Sequence, residues 1–215
     1  QSLGLAAWQQ GTEKRYRPQP ATERLSNTGV LANMNREHAQ VSDWGMGHLS
    51  SVHASSIVEL GCGGGRNVGK LLQMYPAARL VAVDYSTESL AKTAQVNQAS
   101  VTEGRCELLE ADVSHLPLED GTFDLVTAFE TVYFWPSPVE SFAEVHRVLA
   151  DGGAFLIVNE SDGTDPSDDK WKKIIDGLQI YTAGQLHDYL AQAGFSQVTV
   201  DHDPQRHRLC VLARK

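Results

Sequence analysis

The stretch that decides the fold is "IVELGCGGGRNVGK", which covers Ile57–Lys70. A short apolar run ends at an acid, four glycines follow within five positions, and the remainder has the pattern of a helix start. Glycine lets the backbone take positive φ values and approach a ligand closely. The order of strand, glycine loop and helix therefore predicts a ligand-binding turn at the carboxyl end of a β-strand, of the kind used for nucleotides.

Two familiar glycine loops fit this stretch only in part. The P-loop pattern G-x-x-x-x-G-K-[ST] is followed over Gly64–Lys70, but Leu71 replaces the hydroxyl that would bind Mg²⁺. The dinucleotide pattern G-x-G-x-x-G is met at Gly61 and Gly63, but its third position is Arg66, which would crowd the helix against the strand. No tyrosine has a lysine four residues later, as a short-chain hydride enzyme would require. A phosphate or dinucleotide site is therefore the weaker interpretation.

The pattern acid-x-Gly-x-Gly-x-Gly is matched at every position, by Glu59, Gly61, Gly63 and Gly65. Here the sequence resembles the class I methyltransferases that use S-adenosylmethionine, in particular the small single-domain, type 11-like members with an "LGCGGGRN"-like loop. This cofactor carries a carboxylate, an ammonium group and a sulfonium but no phosphate, so it needs no phosphate nest. The resemblance implies that the glycines lie against its amino-acid end, with Glu59 presenting negative charge toward the ammonium group through water.

Acids at the ends of two further predicted strands complete the resemblance. Asp84 closes "RLVAVD" and Asp112 closes "CELLEAD". A carboxylate accepts hydrogen bonds and donates none, so Asp84 is expected to accept from both ribose hydroxyls, with Tyr85 against the adenine face. Asp112 is expected to accept from the adenine amino group, and the Val113 backbone N–H to donate to the ring. The alternative for either acid alone is a helix cap or turn residue.

The remaining expected cofactor contacts are Cys62 and Asn67 in the loop and the backbone of Phe129 beside the ammonium group. Methyl transfer is an in-line displacement on an activated donor, so alignment of the reactants is the main requirement, and a base is optional. Tyr133 and Glu130, after the fourth strand, are the catalytic candidates together with His38, which is expected on an N-terminal helix covering the cofactor. Packing under the next helix is the alternative for Tyr133, and a surface or core position is the alternative for His38.

The order of elements predicts an α/β fold. Short apolar runs without strict alternation are typical of parallel strands covered on both faces, and the predicted ones are "SIVEL", "RLVAVD", "CELLEAD", "FDLVTAFE" and "GAFLIVNE". Two alternating strands around a polar turn end the chain. We therefore predict an open Rossmann-like sheet of about seven strands, mostly parallel with a C-terminal antiparallel hairpin, and helices on both faces. Residues 1–50 are expected to form an N-terminal arm and lid helix, and residues 51–215 the S-adenosylmethionine-binding domain.

Capping signals fix several predicted helix ends. Ser137, followed by proline and by Glu140, predicts a capping box, and that helix is expected to end at Gly152. Thr182 and Gln185 repeat the signal before the last helix. The acidic segment "SDGTDPSDD" (161–169) departs from a calcium-loop pattern, and its Asp-Pro pair predicts a helix start. The segment "DHDPQRHR" (201–208) is typical of a solvated hairpin turn, so we expect no metal site in either segment.

Composition restricts the class of function. The 215 residues carry a net charge of −9, which disfavours a nucleic-acid partner, and no apolar run has the ~18 residues of a membrane span. The three cysteines form no C-x-x-C pair, so neither a disulfide framework nor a thiolate zinc site is expected. We predict a cytoplasmic monomer or weak homodimer that methylates a small molecule. The alternatives are a non-catalytic S-adenosylmethionine-binding module and a dinucleotide-dependent oxidoreductase.

Overall fold

The computed structural model of the protein describes residues 38–215. Their seven strands are β1 (Ser56–Leu60), β2 (Arg79–Asp84), β3 (Cys106–Glu110), β4 (Phe123–Phe129), β5 (Leu149–Asn159), β6 (Gln197–Asp203) and β7 (Arg208–Arg214). They form one sheet in the order β3-β2-β1-β4-β5-β7-β6. Strands β1 to β5 run parallel, and β7 is antiparallel to both of its neighbours. The predicted mostly parallel sheet with a C-terminal antiparallel hairpin is confirmed.

Helices lie on both sides of this sheet. Residues 38–46 are helical and are named α1. The others are α2 (Arg66–Met74), α3 (Thr87–Val96), α4 (Gln98–Thr102), α5 (Pro138–Val148), α6 (Asp168–Ile174) and α7 (Ala183–Gln192). No helix within residues 38–215 has the length and apolar character needed to span a membrane.

The strands have continuous apolar sequences because both of their faces are buried. On one face, Val58 of β1 belongs to a core that includes Phe142 of α5 and Leu186 of α7. On the other face, Ile57 belongs to a second core that includes Val68 of α2. Neighbouring residues of one strand thus enter different cores, and the parallel strands carry their carboxyl ends to one common edge of the sheet.

Two helix ends that carry the same sequence signal behave differently. At Thr182 the predicted capping box forms, with an extended backbone (φ −74°, ψ 162°) and both reciprocal hydrogen bonds to Gln185. At Ser137 the predicted box is absent, because the residue is left-handed (φ +43°, ψ 78°) and its side chain makes no cap hydrogen bond. The predicted end of that helix at Gly152 is also wrong. Helix α5 ends at Val148, since the next residue already pairs with β4 as the first residue of β5.

One further boundary differs from the sequence prediction. The Asp165–Pro166 pair does not begin a helix, because the Asp165 carboxylate accepts the Ser167 N–H (2.8 Å) in a turn and α6 begins at Asp168. Helix α1 ends at residue 46, and a short 3₁₀ helix, Gly47–Leu49, follows it. Residues 1–37 of the predicted N-terminal arm lie outside the described part of the chain, and the arm remains a prediction.

Candidate active site

The glycine loop between β1 and α2 is fixed to the end of β2. The backbone N–H groups of Gly61 and Cys62 both donate to the carbonyl oxygen of Val83, at 2.8 and 3.0 Å. Gly65 has a φ of +79°, and a Cβ there would lie 2.7 Å from the Cα of Thr93. Only glycine meets both conditions, because other residues rarely take this φ and α3 leaves no room for a side chain. The pattern of glycines is thus explained by backbone geometry.

Asp84 connects the end of β2 with this loop. It is 7% exposed, and its Oδ2 accepts the Gly63 N–H (3.0 Å) while its Oδ1 accepts the Ser86 N–H (2.9 Å). Each carboxylate oxygen has two acceptor sites, so each keeps one site after these bonds. Tyr85, the next residue, is 63% exposed. The arrangement fits two vicinal hydroxyl groups, and the predicted ribose and adenine contacts stay predictions.

The predicted adenine contacts lie at the same edge of the sheet. Asp112 follows β3, which pairs with β2, and the Ala111 N–H donates to the carbonyl of Asp84 at 3.2 Å. The Asp112 carboxylate is exposed, and its Oδ1 accepts the Ser114 N–H (2.9 Å) and hydroxyl (2.7 Å). Val113 is partly buried against the core. The turn around Asp112 is therefore formed next to Asp84, as the two-acid pattern requires.

Glu59 and Cys62 are more enclosed than the sequence suggests. Glu59 is 1% exposed, its carboxylate accepts the hydroxyl proton of Thr127 on β4, and burial raises its pKa to about 8 in spite of that bond. A carboxyl with this pKa holds its proton at neutral pH. The Cys62 thiol, beside the Thr93 hydroxyl at 3.3 Å, has a pKa raised to about 12, mainly by burial. The Cys62 thiol is therefore protonated at neutral pH and is not a nucleophile.

Helix α1 lies across the opening of the glycine loop. The Asp43 carboxylate accepts from Arg66 with both oxygens at 2.8 Å, and the Asn67 amide donates to the Ser42 hydroxyl at 3.3 Å. At the other end of the helix, His38 Nε2 lies 3.2 Å from Glu160 Oε1. Asn67, an expected cofactor contact, thus bonds to α1. The expected helix is present, and its role as a cover for the cofactor stays a prediction.

The catalytic candidates after β4 form one hydrogen-bonded group. The Tyr133 hydroxyl donates to Glu130 Oε2 (3.2 Å) and accepts the Ser161 N–H (2.9 Å). Glu130 Oε1 is buried and has no hydrogen-bond partner among residues 38–215. Burial, and then the nearby Glu160 carboxylate, raise the pKa of Glu130 well above its ordinary value. Phe129, just before this group, is buried as the last residue of β4.

The sequence did not predict that the side chains of His38, Glu130 and Glu160 lie close together. One side-chain atom from each of His38, Glu130 and Glu160 lies within 4.8 Å of the others. Glu130 and Glu160 follow β4 and β5, which are parallel neighbours. The order of the predicted strands could therefore have indicated that these two residues lie close together. The contribution of α1 was not available, because it depends on how the N-terminal helix crosses the sheet. By contrast, Trp135, two residues after Tyr133, packs against Phe142 of α5.

The two polar segments of the sequence, residues 161–169 and 201–208, meet in the structure. Asp162 is 1% exposed, and its Oδ2 lies 2.7 Å from His202 Nε2. His207 Nδ1 lies 3.4 Å from the same carboxylate, which also accepts the Thr164 N–H at 2.8 Å. Burial alone would raise the pKa of Asp162, but the bonds from His202 and Thr164 lower it to about 2. The pairing of β5 with β7 brings these segments together. The predicted exposed hairpin turn is present at residues 204–207, and His202, which is itself exposed, reaches the buried Asp162 from the end of β6.

Comparisons with known proteins agree on one family. Residues 58–157 match a family model described as a methyltransferase domain. The malonyl-[acyl-carrier protein] O-methyltransferase of Geobacter sulfurreducens is 31% identical over 159 residues, which are 69% of this chain and 58% of that protein. The sarcosine/dimethylglycine N-methyltransferase of Halorhodospira halochloris is 26% identical over 158 residues, 72% of this chain and 56% of that protein. The chain thus spans less than two thirds of either relative.

Solved structures share the fold at low sequence identity. A chain described as a methyltransferase, in complex with the Trm112 methyltransferase activator of Haloferax volcanii, superposes with a TM-score of 0.78 at 16% identity, covering 93% of this chain and 99% of that one. The [4+2]-cyclase SpnF superposes with a TM-score of 0.69 at 19% identity, covering 82% of this chain and 80% of that one. The second likeness shows that this fold also carries other chemistry, so the site has to decide the function.

Proposed function

Since residues 58–157 match the family model of a methyltransferase domain, we propose that the protein transfers the methyl group of S-adenosylmethionine to a small-molecule acceptor by in-line displacement. The observation that carries this proposal is the Asp84 carboxylate, buried at the end of β2 and bonded to the Gly63 N–H with acceptor capacity to spare. A carboxylate in this position is suited to the two hydroxyls of a ribose.

The residues present fit such a cofactor. A Cβ added at Gly63 or Gly64 would meet no atom within 4 Å, so the outer side of the loop is open toward a ligand, while its inner side is packed at Gly65. The exposed ring of Tyr85 lies beside Asp84 and offers an apolar face to a base. Open glycines for the amino-acid end and a carboxylate for the ribose are together what S-adenosylmethionine requires.

When bound, the cofactor supplies a methyl group on a positively charged sulfur, which needs no further activation. The main task of the protein is then to align the acceptor, which contributes about 7–11 kcal/mol in well-oriented reactions. Glu130 and Tyr133 are suited to hold the acceptor, since Thr131 between them packs on the glycine loop through a 3.1 Å bond to the Leu60 carbonyl. An acceptor that must lose a proton can give it to Glu130, and such base catalysis adds ~10²–10⁴-fold.

The relatives leave the acceptor open, because their names specify an oxygen of malonyl-[acyl-carrier protein] in one case and a nitrogen of sarcosine or dimethylglycine in the other. The direct test measures release of S-adenosylhomocysteine from S-adenosylmethionine across a panel of small oxygen, nitrogen, sulfur and carbon acceptors. Turnover that depends on one acceptor class is expected. Calorimetry with S-adenosylhomocysteine provides the binding control, and Asp151→Asn, at the opposite edge of the sheet, provides a matched variant for Asp84→Asn.

Two results would contradict the proposal. Tight binding of S-adenosylhomocysteine without turnover on any acceptor would favour a non-catalytic binding module. Tight binding of NAD(P)H, without binding of S-adenosylhomocysteine, would favour a dinucleotide enzyme.

A further inference from the structure

The carboxylates that follow β4 and β5 form an unusual pair. The strands are parallel neighbours with Phe129 opposite Val158, so Glu130 and Glu160 leave the sheet side by side. One carboxylate oxygen from each of them and one ring nitrogen of His38 all lie within 4.8 Å of one another. Two like charges this close in a partly buried site oppose each other, and a cation between them relieves the repulsion.

One oxygen of this pair also lacks a hydrogen-bond donor. Glu130 Oε2 has the Tyr133 hydroxyl at 3.2 Å, whereas Oε1 is buried with no partner in the part of the chain that the structure describes. A buried acceptor without a donor is costly, and most such atoms in proteins are satisfied. The Tyr133 hydroxyl cannot serve both oxygens, because it has one proton and the Ser161 N–H already occupies its acceptor side (2.9 Å). When Glu130 is ionised, the missing partner is therefore a donor. The Glu160 backbone N–H is near enough to lower the pKa of Glu130 but makes no hydrogen bond to Oε1, and the neighbouring carboxylate makes a positively charged donor the best fit.

The pair lies where an acceptor has to be. Thr131, next to Glu130, packs so closely on Gly61 that a Cβ at that glycine would collide with its side chain. The glycine loop is where the amino-acid end of the cofactor is expected. A donor held by Glu130 is thus adjacent to the expected site of methyl transfer, and His38 of α1 lies 3.2 Å from Glu160.

We propose that Glu130 and Glu160 bind the ammonium group of a primary or secondary amine, which is the methyl acceptor, while Tyr133 orients Glu130 and His38 lies against Glu160. This inference rests on the proposed methyltransferase function and specifies its substrate class. One N–H of the ammonium group bonds to Glu130 Oε1 and another to Glu160. Glu130 then takes one proton, and the freed nitrogen lone pair forms the N–C bond as the C–S bond breaks with its electron pair on sulfur. The methylated amine leaves as a cation, and the proton on Glu130 passes to solvent.

A divalent metal ion is the other cation that these three side chains could hold. The amine is favoured because one oxygen of Glu130 already bonds to Tyr133, and because the donor that Oε1 lacks is a proton-bearing group. A metal ion bound at Glu130 Oε2 would compete with the Tyr133 hydroxyl for that oxygen. The two possibilities make different predictions for chelation, which the experiment uses.

The test compares amines with their hydroxy analogues as methyl acceptors of the purified full chain, for example ethanolamine with ethylene glycol and sarcosine with glycolate. Turnover is expected for amines only, and it should persist in EDTA. Glu130→Gln is expected to lower amine turnover by ~10²–10⁴-fold, while the dissociation constant for S-adenosylhomocysteine and the thermal midpoint stay unchanged. Glu103→Gln, at an exposed position after α4, is the matched control and should turn over amines at the wild-type rate.

A second measurement does not depend on turnover. Ethanolamine and sarcosine should bind to the S-adenosylhomocysteine complex by calorimetry, since that complex has no methyl group to transfer, and this binding should be lost in Glu130→Gln/Glu160→Gln. Methylation of hydroxy or thiol acceptors in place of amines would overturn the inference and leave the proposed function intact. The inference would also be overturned if activity required Mn²⁺ or Zn²⁺ to be added after chelation, or if no amine in the panel were methylated or bound. Failure to bind S-adenosylhomocysteine at all would instead refute the proposed function.

Discussion

Replacement of Asp84 by asparagine separates the ligand-binding role of this residue from its structural role. The carboxylate accepts two backbone N–H groups, from Gly63 at 3.0 Å and from Ser86 at 2.9 Å. Asparagine has one acceptor oxygen, so its NH₂ group must face one of these donors. In the proposed complex each carboxylate oxygen also accepts one ribose hydroxyl. The variant loses one of those bonds and the charge that strengthens the other.

The magnitude follows from the strength of hydrogen bonds to charged groups, which is about 1.5–3 kcal/mol each. Loss of one bond and weakening of the second predict about 2–4 kcal/mol of lost binding free energy, which is a rise in the dissociation constant of roughly 30- to 1,000-fold. Calorimetric titration of S-adenosylhomocysteine into wild type, Asp84→Asn and the control Asp151→Asn measures this rise. Thermal unfolding of the same samples measures the separate cost of the unpaired backbone N–H, about 1–3 kcal/mol.

A double-mutant cycle decides between the two roles. The same titrations are made with the 2′,3′-dideoxy analogue of S-adenosylhomocysteine, which has no ribose hydroxyls for Asp84 to accept from. If Asp84 binds these hydroxyls, most of the penalty of Asp84→Asn disappears with the analogue. An equal penalty for both ligands would mean that Asp84 acts only by shaping the loop, and the argument for a ribose at this position would fail.

Three other predictions concern the loop, the Asp162 contact and the buried acid. Gly65→Ala is expected to destabilise the fold by about 2–4 kcal/mol, because the strain of a left-handed alanine adds to the collision with Thr93. Gly104 is equally left-handed but has open space around it, so Gly104→Ala should lower the free energy of unfolding in urea by only about 1–2 kcal/mol. Equal costs would contradict the collision argument. Because the folded pKa of Asp162 is lowered to about 2 from 3.8, its ionised form stabilises the protein above pH 4, and about 2 kcal/mol of that stability should be lost as the pH falls from 4 to 2. The stability difference between wild type and Asp162→Asn should therefore narrow over that interval, and a constant difference would show that the lowered pKa is not the cause. Because burial raises the pKa of Glu59 to about 8, ionisation of this group by a ligand ammonium should release roughly one proton at pH 7. Calorimetry in buffers of different ionisation enthalpy detects that release, and heats that do not vary with the buffer would contradict it.

The strands and the glycine loop could be predicted because their signals are local. Strands β1 and β2 have the predicted bounds, since each is a short apolar run that ends at an acid or a glycine turn. The glycines are required by backbone geometry at the positions where they stand, as Gly65 shows against Thr93. The position of Asp84 beside the glycine loop could also be predicted, because the residue stands at the end of the parallel strand next to that loop.

Local signals failed where the tertiary structure decides the backbone. Ser137 and Thr182 begin equivalent sequence motifs, and only Thr182 is extended, as a capping residue must be. The ion pair between Asp162 and His202 joins segments 40 residues apart, and it depends on the register between β5 and β7. A sequence pattern contains neither the φ angle of Ser137 nor that register, so these features became visible only in the folded chain.

Helix α1 contacts both parts of the candidate site, which are the glycine loop and the carboxylate pair of Glu130 and Glu160. Asp43 contacts Arg66 at the start of α2, beside the glycine loop, and His38 contacts Glu160 beside the proposed acceptor position. Both contacts are partly exposed ion pairs, and such pairs contribute only about 0–1 kcal/mol each. The interior contact of the helix is stronger, because Gly45 packs so closely on Val158 that no side chain would fit between them. The helix is therefore fixed near its C-terminal end, where Gly45 packs on Val158, and the exposed contacts of Asp43 and His38 hold it less strongly.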